Sequence, residues 1–229
     1  MSEPTLVLFD MDGTLVDSQH MIVAALTAAF ESESLDLPDR KTMLSVVGLS
    51  LVEAMARLVA SDHAQHERLA GAYREAFQTL RRQEDSREPL FPGAPETISR
   101  FAARDDLILG IATGKSRRGV DHVLQRYDWH AHFVSIQTAD DHPSKPHPSM
   151  VTTAMSECGI PAERTFVIGD TVFDMEMARS AGARGIGVSW GYHDTEHLRP
   201  AGASLVIDDF SALDEAIASL SGEHRETAT

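Results

Sequence analysis

A chain of 229 residues, 42% of them hydrophobic, can bury a substantial core, as one large domain or as a domain carrying an insertion. Its formal net charge of −15 argues against nucleic acid and anionic membranes as partners, because phosphate surfaces are bound through clustered Lys and Arg. One cysteine, Cys158, rules out an intramolecular disulfide and suits a reducing cytoplasm, which is the expected location. Met1-Ser2-Glu3-Pro4 carries no basic region or signal-like apolar core, and no apolar stretch approaches the roughly 18 residues of a membrane span.

The first predicted element is the apolar run Leu6-Val7-Leu8-Phe9, a buried strand. From about Ser18 to Glu88 no strand pattern appears, only helix-period segments at Met21 to Phe30, Leu51 to Ala60 and Leu69 to Leu80. Pro92-Gly93 marks a return to strand and helix alternation. Further strands are expected at Leu107 to Ala112, Phe133 to Ile136, Thr165 to Ile168, Gly185 to Val188 and Leu205 to Ile207. Helices are expected at about Pro95 to Ala103, Arg117 to Tyr127, Pro148 to Cys158, Phe173 to Ala181 and Ser211 to Leu220. Near-continuous apolar strands alternating with helices imply an α/β fold with a doubly wound parallel sheet covered on both faces. The division that follows is a core of residues 1–17 and 89–222, a helical insertion at 18–88 and a polar tail at 223–229.

Chemistry-bearing residues fall at the predicted strand ends, the edge where open α/β sheets bind ligands. Asp10-Met11-Asp12-Gly13-Thr14-Leu15 places two carboxylates there, and Gly13 lets the backbone turn away. A carboxylate in that position can be a nucleophile, a metal ligand or both, and the second can act as acid and base. Thr113-Gly114-Lys115-Ser116 reads as an oxyanion or phosphate cradle, or simply as a helix cap. Lys145, between Ser144 and Pro146, is a restrained ammonium or a solvated loop lysine. Asp170 and, one helical turn later, Asp174 either favour a helix N-terminus or join Asp10 and a backbone carbonyl around a hard cation such as Mg²⁺.

Taken together, Asp10-Met11-Asp12-Gly13-Thr14, Thr113-Gly114, Lys145-Pro146 and Gly169-Asp170 to Asp174 resemble the haloacid dehalogenase superfamily, with its four signature motifs in order. Within it the chain is similar to the phosphoglycolate phosphatase-like group, which Phe91-Pro92-Gly93 and Gly187-Val188-Ser189-Trp190-Gly191 also fit. The resemblance implies a Rossmann-like core with an inserted helical cap. It implies that Asp10 attacks phosphorus, that Asp12 protonates the leaving oxygen and then activates water, and that Thr113 and the Gly114 N–H hold phosphoryl oxygens. It further implies that Lys145 neutralises charge, that Asp10, the Asp12 carbonyl and Asp170 hold Mg²⁺, and that Asp174 lies behind them or holds Lys145.

An acid at Asp12 favours phosphate esters over halides, since an alkoxide leaving group needs a proton and a halide does not. The implied reaction is hydrolysis of a small phosphorylated metabolite, phosphoglycolate-like, by a monomer or homodimer. A β-phosphoglucomutase-like mutase would carry a cap arginine shortly after Gly-x-Ser, whereas Gly48-Leu49-Ser50 is followed by Leu51. Pyrophosphatase activity is a further alternative, and a phosphonate-cleaving enzyme would need a cap lysine, for which only Lys41 offers itself. A receiver-like phospho-Asp signalling module would lack the insertion and the acid two residues on. Ser45 to Met55, with Gly48 as a hinge, is the candidate specificity loop, and Arg117, Arg118, His142 and His147 are candidate cations for a substrate carboxylate. Trp190 is expected to pack beneath the site.

Overall fold

The computed structural model describes residues 3–82 and 88–226. After β1 (Thr5–Phe9) come α1 (Gln19–Ser32), α2 (Arg40–Leu44), α3 (Leu51–Leu58) and α4 (His63–Arg81). The chain then returns through α5 (Ala94–Ala102) to β2 (Leu107–Thr113). Alternation follows: α6 (Arg117–Arg126), β3 (Ser135–Thr138), α7 (Ser149–Cys158), β4 (Thr165–Gly169), α8 (Val172–Ser180), β5 (Arg184–Val188), the short α9 (Leu198–Ala201), β6 (Ala203–Ile207) and α10 (Leu213–Glu226).

The strands form one sheet in the order β3-β2-β1-β4-β5-β6, with every pairing parallel. Side chains alternate across it, as the strand period of two requires. Val7 and Phe9 join the core beneath α5, α6 and α10, while Leu6 and Leu8 join the core beneath α7 and α8. Both faces are therefore dry, which is why these strands read as unbroken apolar runs rather than alternating ones. The strand order reverses at β1, whose neighbours are β2 and β4. A crevice opens beyond the carboxyl ends at such a switch point.

Helices α1 to α4 build their own core from Met21, Ala25, Leu26, Phe30, Leu69 and Phe77, among others. Full burial of a side chain such as Leu26 or Leu69 is worth about 1.5–3 kcal/mol. The helical unit rests on the sheet domain through the Ser50 N–H to the Ser144 hydroxyl (2.8 Å) and the Lys41–Asp194 ion pair (2.7 Å). At its point of entry, the Ser18 N–H donates to the Tyr192 hydroxyl (2.8 Å).

Four differences from the sequence expectations have local causes. β3 begins at Ser135, because Val134 points outward at 70% exposure and Phe133 reaches the core from the preceding loop. Helix α4 starts at His63, where Asp62 caps it by accepting from the Gln65 N–H, so its polar first turn adds nothing to the apolar period. The five-residue α2, capped by Asp39, is too short to show a period. Helix α10 continues to Glu226, so the tail expected from Glu223 is helical at its start, and residues 227–229 lie outside the described residues. No helix among the described residues is long and apolar enough to cross a membrane.

Candidate active site

Asp10 directly follows β1, and its N–H donates to the Ile168 carbonyl (2.9 Å), continuing the ladder to β4 by one residue. The chain then turns tightly, with the N–H groups of Thr14, Leu15 and Val16 all directed at the Met11 carbonyl. Gly13 makes this possible. Its φ of +90° is left-handed, and a Cβ there would collide with the Asp170 carboxylate. Asp170, following β4, is held by Thr14 Oγ1 (2.9 Å) and by the Tyr192 N–H (2.8 Å).

Lys145 reaches the same point from the loop after β3. Its Nζ donates to Asp174 Oδ1 (2.6 Å) and lies 3.1 Å from Asp10 Oδ1, a charge contact without hydrogen-bond alignment. Asp174 Oδ2 accepts from the Thr171 N–H and hydroxyl, completing the capping box of α8. Burial alone would drive Lys145 toward the neutral amine, but Asp10 and Asp174 outweigh it and hold its pKa above the ordinary value.

Neither carboxylate oxygen of Asp10 has a hydrogen-bond partner among the described residues, although both are buried. Burial raises its pKa from 3.8 to about 6; Lys145 opposes that rise and Asp174 adds to it. Asp170 is pushed well above the usual carboxylate range, by burial first and then by the charges of Asp174 and Asp10. Carboxylate oxygens of Asp10, Asp170 and Asp174 lie within 4.8 Å of one another. Three carboxylates against one ammonium leave two negative charges uncompensated when all are ionised. An all-oxygen cluster of that charge fits a hard divalent cation such as Mg²⁺.

Unfolded, the Asp10 carboxyl loses its proton near 3.8; in the metal-free fold it keeps it to about 6. The metal-free protein therefore loses stability as pH rises through that window. A cation must displace that proton at low pH. At 100 times its Kd, Mg²⁺ should add ~2.7 kcal/mol, a rise in Tm of roughly 5–10 °C for a chain of this size. Melting curves with and without Mg²⁺ should show a clearly smaller rise at pH 5 than at pH 7.5.

Asp12 belongs to a second cluster. Its Oδ1 accepts from the Ser18 hydroxyl (2.6 Å) and from Lys115 Nζ (2.7 Å). Lys115 also bonds Glu88 Oε1 (2.9 Å), and Glu88 Oε2 takes Arg81 through Nε (2.9 Å) and Nη2 (2.7 Å). Burial works against both Lys115 and Glu88, yet their partners prevail, keeping the Lys115 pKa raised and the Glu88 pKa lowered. Two carboxylates face two cations, so this cluster is self-neutralising. Lys115→Met would leave Asp12 and Glu88 short of a cation at a site where Lys115 is only 7% exposed. Its expected cost is about 3 kcal/mol, the low end for a broken buried pair, because Arg81 and Ser18 remain. Urea denaturation reads this as a lower midpoint at an unchanged slope.

A cavity of about 640 Å³ lies between the helical unit and the strand ends, with Asp10, Asp12, Thr113, Gly114 and Lys115 in its lining. Thr113 ends β2 and is buried. The Gly48 and Leu49 carbonyls pass so close over Gly114 that a Cβ there would sit 2.5 and 2.7 Å from them. Ser116 caps α6, so the motif both starts a helix and lines the cavity.

The other sequence candidates divide. Arg118 and His142 line the cavity, and Arg117 and His147 do not. Arg117 pairs with Asp121 on the surface (3.1 Å), and His142 is held between the Ser149 hydroxyl and Gln137 Oε1. Residues Val46 to Val52, with Ala54 and Met55, face the cavity, in line with the candidate loop. Trp190 packs on Phe210 with its indole N–H on the Thr14 carbonyl (3.1 Å), beneath the site. Sequence reasoning missed the roles of Lys115, Glu88, Arg81 and Tyr192. The only signal was Lys115 itself, a cation inside a motif already read as a cradle.

A family described as haloacid dehalogenase-like hydrolase matches residues 7–188. The protein named Probable phosphatase IndB, from Dickeya dadantii (strain 3937), is 35% identical over 210 residues, covering 90% of this chain and 90% of its own. A phosphoglycolate phosphatase from Pseudomonas savastanoi pv. phaseolicola (strain 1448A / Race 6) is 26% identical over 215 residues, 92% of this chain and 78% of its own. The crystal structure of a hydrolase from Pseudomonas syringae superimposes with a TM-score of 0.81 at 29% identity, across 92% of this chain and 98% of that one.

Proposed function

This chain belongs to the haloacid dehalogenase-like hydrolase family and is a phosphatase of that family, and we propose that it hydrolyses a phosphomonoester through a phosphorylated Asp10, with Mg²⁺ as cofactor. The observation that carries the reading is the Asp10 carboxylate. It is buried on the cavity floor with Lys145 Nζ 3.1 Å away as its charge partner, and no described residue makes a well-aligned hydrogen bond to either oxygen. A buried carboxylate without such partners is costly unless a ligand or a reaction uses it.

An Asp10 oxygen bonds to phosphorus, the bond from phosphorus to the alcohol oxygen breaks, and Asp12 gives that oxygen its proton. A water then attacks phosphorus and passes a proton to Asp12, and the bond from Asp10 to phosphorus breaks to release inorganic phosphate. In this reading Thr113 and the Gly114 N–H, both from the cavity lining, hold phosphoryl oxygens, and Lys145 offsets charge on Asp10. Asp10 and Asp170, with the Asp12 carbonyl, would hold Mg²⁺, which when bound supplies positive charge against the phosphoryl oxygens. Asp174 orients Lys145.

The competing readings lose support at specific residues. Lys41 is 81% exposed and pairs with Asp194, outside the cavity, so it offers no Schiff base. Leu51, where a mutase-like arginine would be sought, contributes an apolar side chain to the cavity. The test is phosphate release from a panel of phosphomonoesters with and without Mg²⁺, followed by acid quench during turnover. Metal-dependent release with one phosphoryl group on the Asp10 peptide is expected. Release with no labelled Asp10 peptide in either the wild type or Asp12→Asn, in which hydrolysis of the intermediate is slowed, would point to direct attack by water and sink the covalent route.

A further inference from the structure

We propose that the alcohol portion of the substrate is a bulky, largely apolar or ring-bearing group, rather than a two-carbon acid or a second phosphate. The proposal rests on the phosphatase reading and narrows it. The cavity holds about 640 Å³, within the range of ~300–1,000 Å³ that accommodates drug-sized ligands. At ~30 Å³ per water, a phosphoryl group with a two-carbon tail would leave most of that space to solvent.

The walls decide what fills it. Beyond the catalytic floor the helical unit presents Ile22, Leu26, Val47, Leu51, Tyr73 and Phe77. Tyr73 and Phe77 pair at 5.7 Å between ring centroids. The Tyr73 hydroxyl bonds none of the described residues and, with the Gln78 amide from the same helix, gives this largely apolar wall neutral hydrogen-bonding groups.

The buried cations of the lining are already engaged. Lys115 is shared by Asp12 and Glu88, and Arg81 is bidentate on Glu88. Both also lie over the Phe77 ring, Arg81 at 4.9 Å and Lys115 at 5.4 Å from its centroid. A substrate carboxylate or second phosphate would have to compete with Glu88 for them in a buried site, leaving one carboxylate unpaired at a large cost. His142 spends both ring nitrogens within the sheet domain. The remaining basic side chains of the lining, Arg74 and Arg118, are exposed. A charge on the substrate therefore finds an uncommitted cation of the lining only at exposed Arg74 or Arg118, where solvent screens the pair. A wall of apolar side chains with a few neutral hydrogen-bonding groups recognises a hydrocarbon or ring body better than a short acid.

The experiment compares kcat/KM for benzyl and 2-phenylethyl phosphate with that for phosphoglycolate, all esters of primary alcohols, and for pyrophosphate, at saturating Mg²⁺. Wild type should prefer the ring-bearing esters by about 10- to 100-fold, the value of burying one ring. Val52→Trp, which fills the cavity from a half-buried lining position, should erode that preference about tenfold; Leu51→Phe serves if that variant does not fold. Phosphoglycolate or pyrophosphate as the preferred substrate would overturn this proposal and leave the phosphatase reading standing. So would a ring preference that neither variant moves. Turnover of none of these esters by the folded, Mg²⁺-loaded protein would overturn both.

Discussion

Asp10→Asn is expected to lower phosphate release by roughly 10⁴-fold or more, the scale on which removing a covalent nucleophile acts. The amide keeps the shape of the carboxylate but carries no charge and cannot form an acyl phosphate under these conditions. A structural account would predict a different pattern, in which activity falls because the fold does. Here the two separate by sign. The raised pKa of Asp10 means that its ionised form is penalised in the metal-free fold at neutral pH. A neutral isostere removes that penalty, so metal-free Asp10→Asn should melt at the same temperature as wild type or higher at pH 7.5. Mg²⁺ should stabilise it less, because one anionic oxygen of the cluster is gone. Lost turnover with a retained or raised metal-free Tm identifies Asp10 as the attacking group. Activity within about tenfold of wild type would remove Asp10 from that role and, with it, the covalent mechanism.

Much of this architecture could be read from sequence because β1, β2 and β4 are buried on both faces. A strand covered by helices on either side must be apolar throughout, so Leu6 to Phe9 and Thr165 to Ile168 stand out from their surroundings. The residues of the candidate site then fall at a fixed place, the first polar residues after each run, which is where Asp10, Thr113 and Asp170 are found. Lys145 and Asp174 were readable for a related reason, as each lies a few residues from a strand end or a helix cap.

The second cluster was not readable in that way. Lys115 meets Asp12 across 103 positions and Glu88 across 27. Arg81 closes α4 and looks like any cation favouring a helix C-terminus. Ion pairs between distant residues follow no period, and their energy depends on burial that only the packed helices create. The same holds for the cavity wall. Ile22 and Leu26 show a helical face, but the sequence does not divide that face between the core of the helical unit and the cavity. The candidate cations Arg117 and His147 failed for the converse reason: adjacency to a motif in sequence did not place their side chains in the cavity.

Asp12→Asn should separate the two chemical steps assigned to this residue. Loss of a positioned acid and base typically costs 10²–10⁴-fold, and the structure indicates how the loss should be distributed. Lys115 and Ser18 both donate to Asp12 Oδ1, which the amide oxygen of asparagine can replace. The side chain should therefore keep its place while losing its proton chemistry. With an alkyl ester the leaving alkoxide needs a proton, so formation of phosphorylated Asp10 becomes slow. With nitrophenyl phosphate the leaving group departs unprotonated, and that first step should remain fast. Attack by water still lacks its base, so phosphorylated Asp10 should accumulate during turnover and be recovered by acid quench. A loss of equal size for both esters, with no accumulation, would reduce Asp12 to an anchor for Lys115. In that case Lys115→Met, which leaves the carboxylate intact and held by Ser18 alone, should impair turnover as severely as Asp12→Asn. If Asp12 is the proton carrier, Lys115→Met should instead retain the leaving-group dependence of wild type and lose rate through misplacement of Asp12 alone.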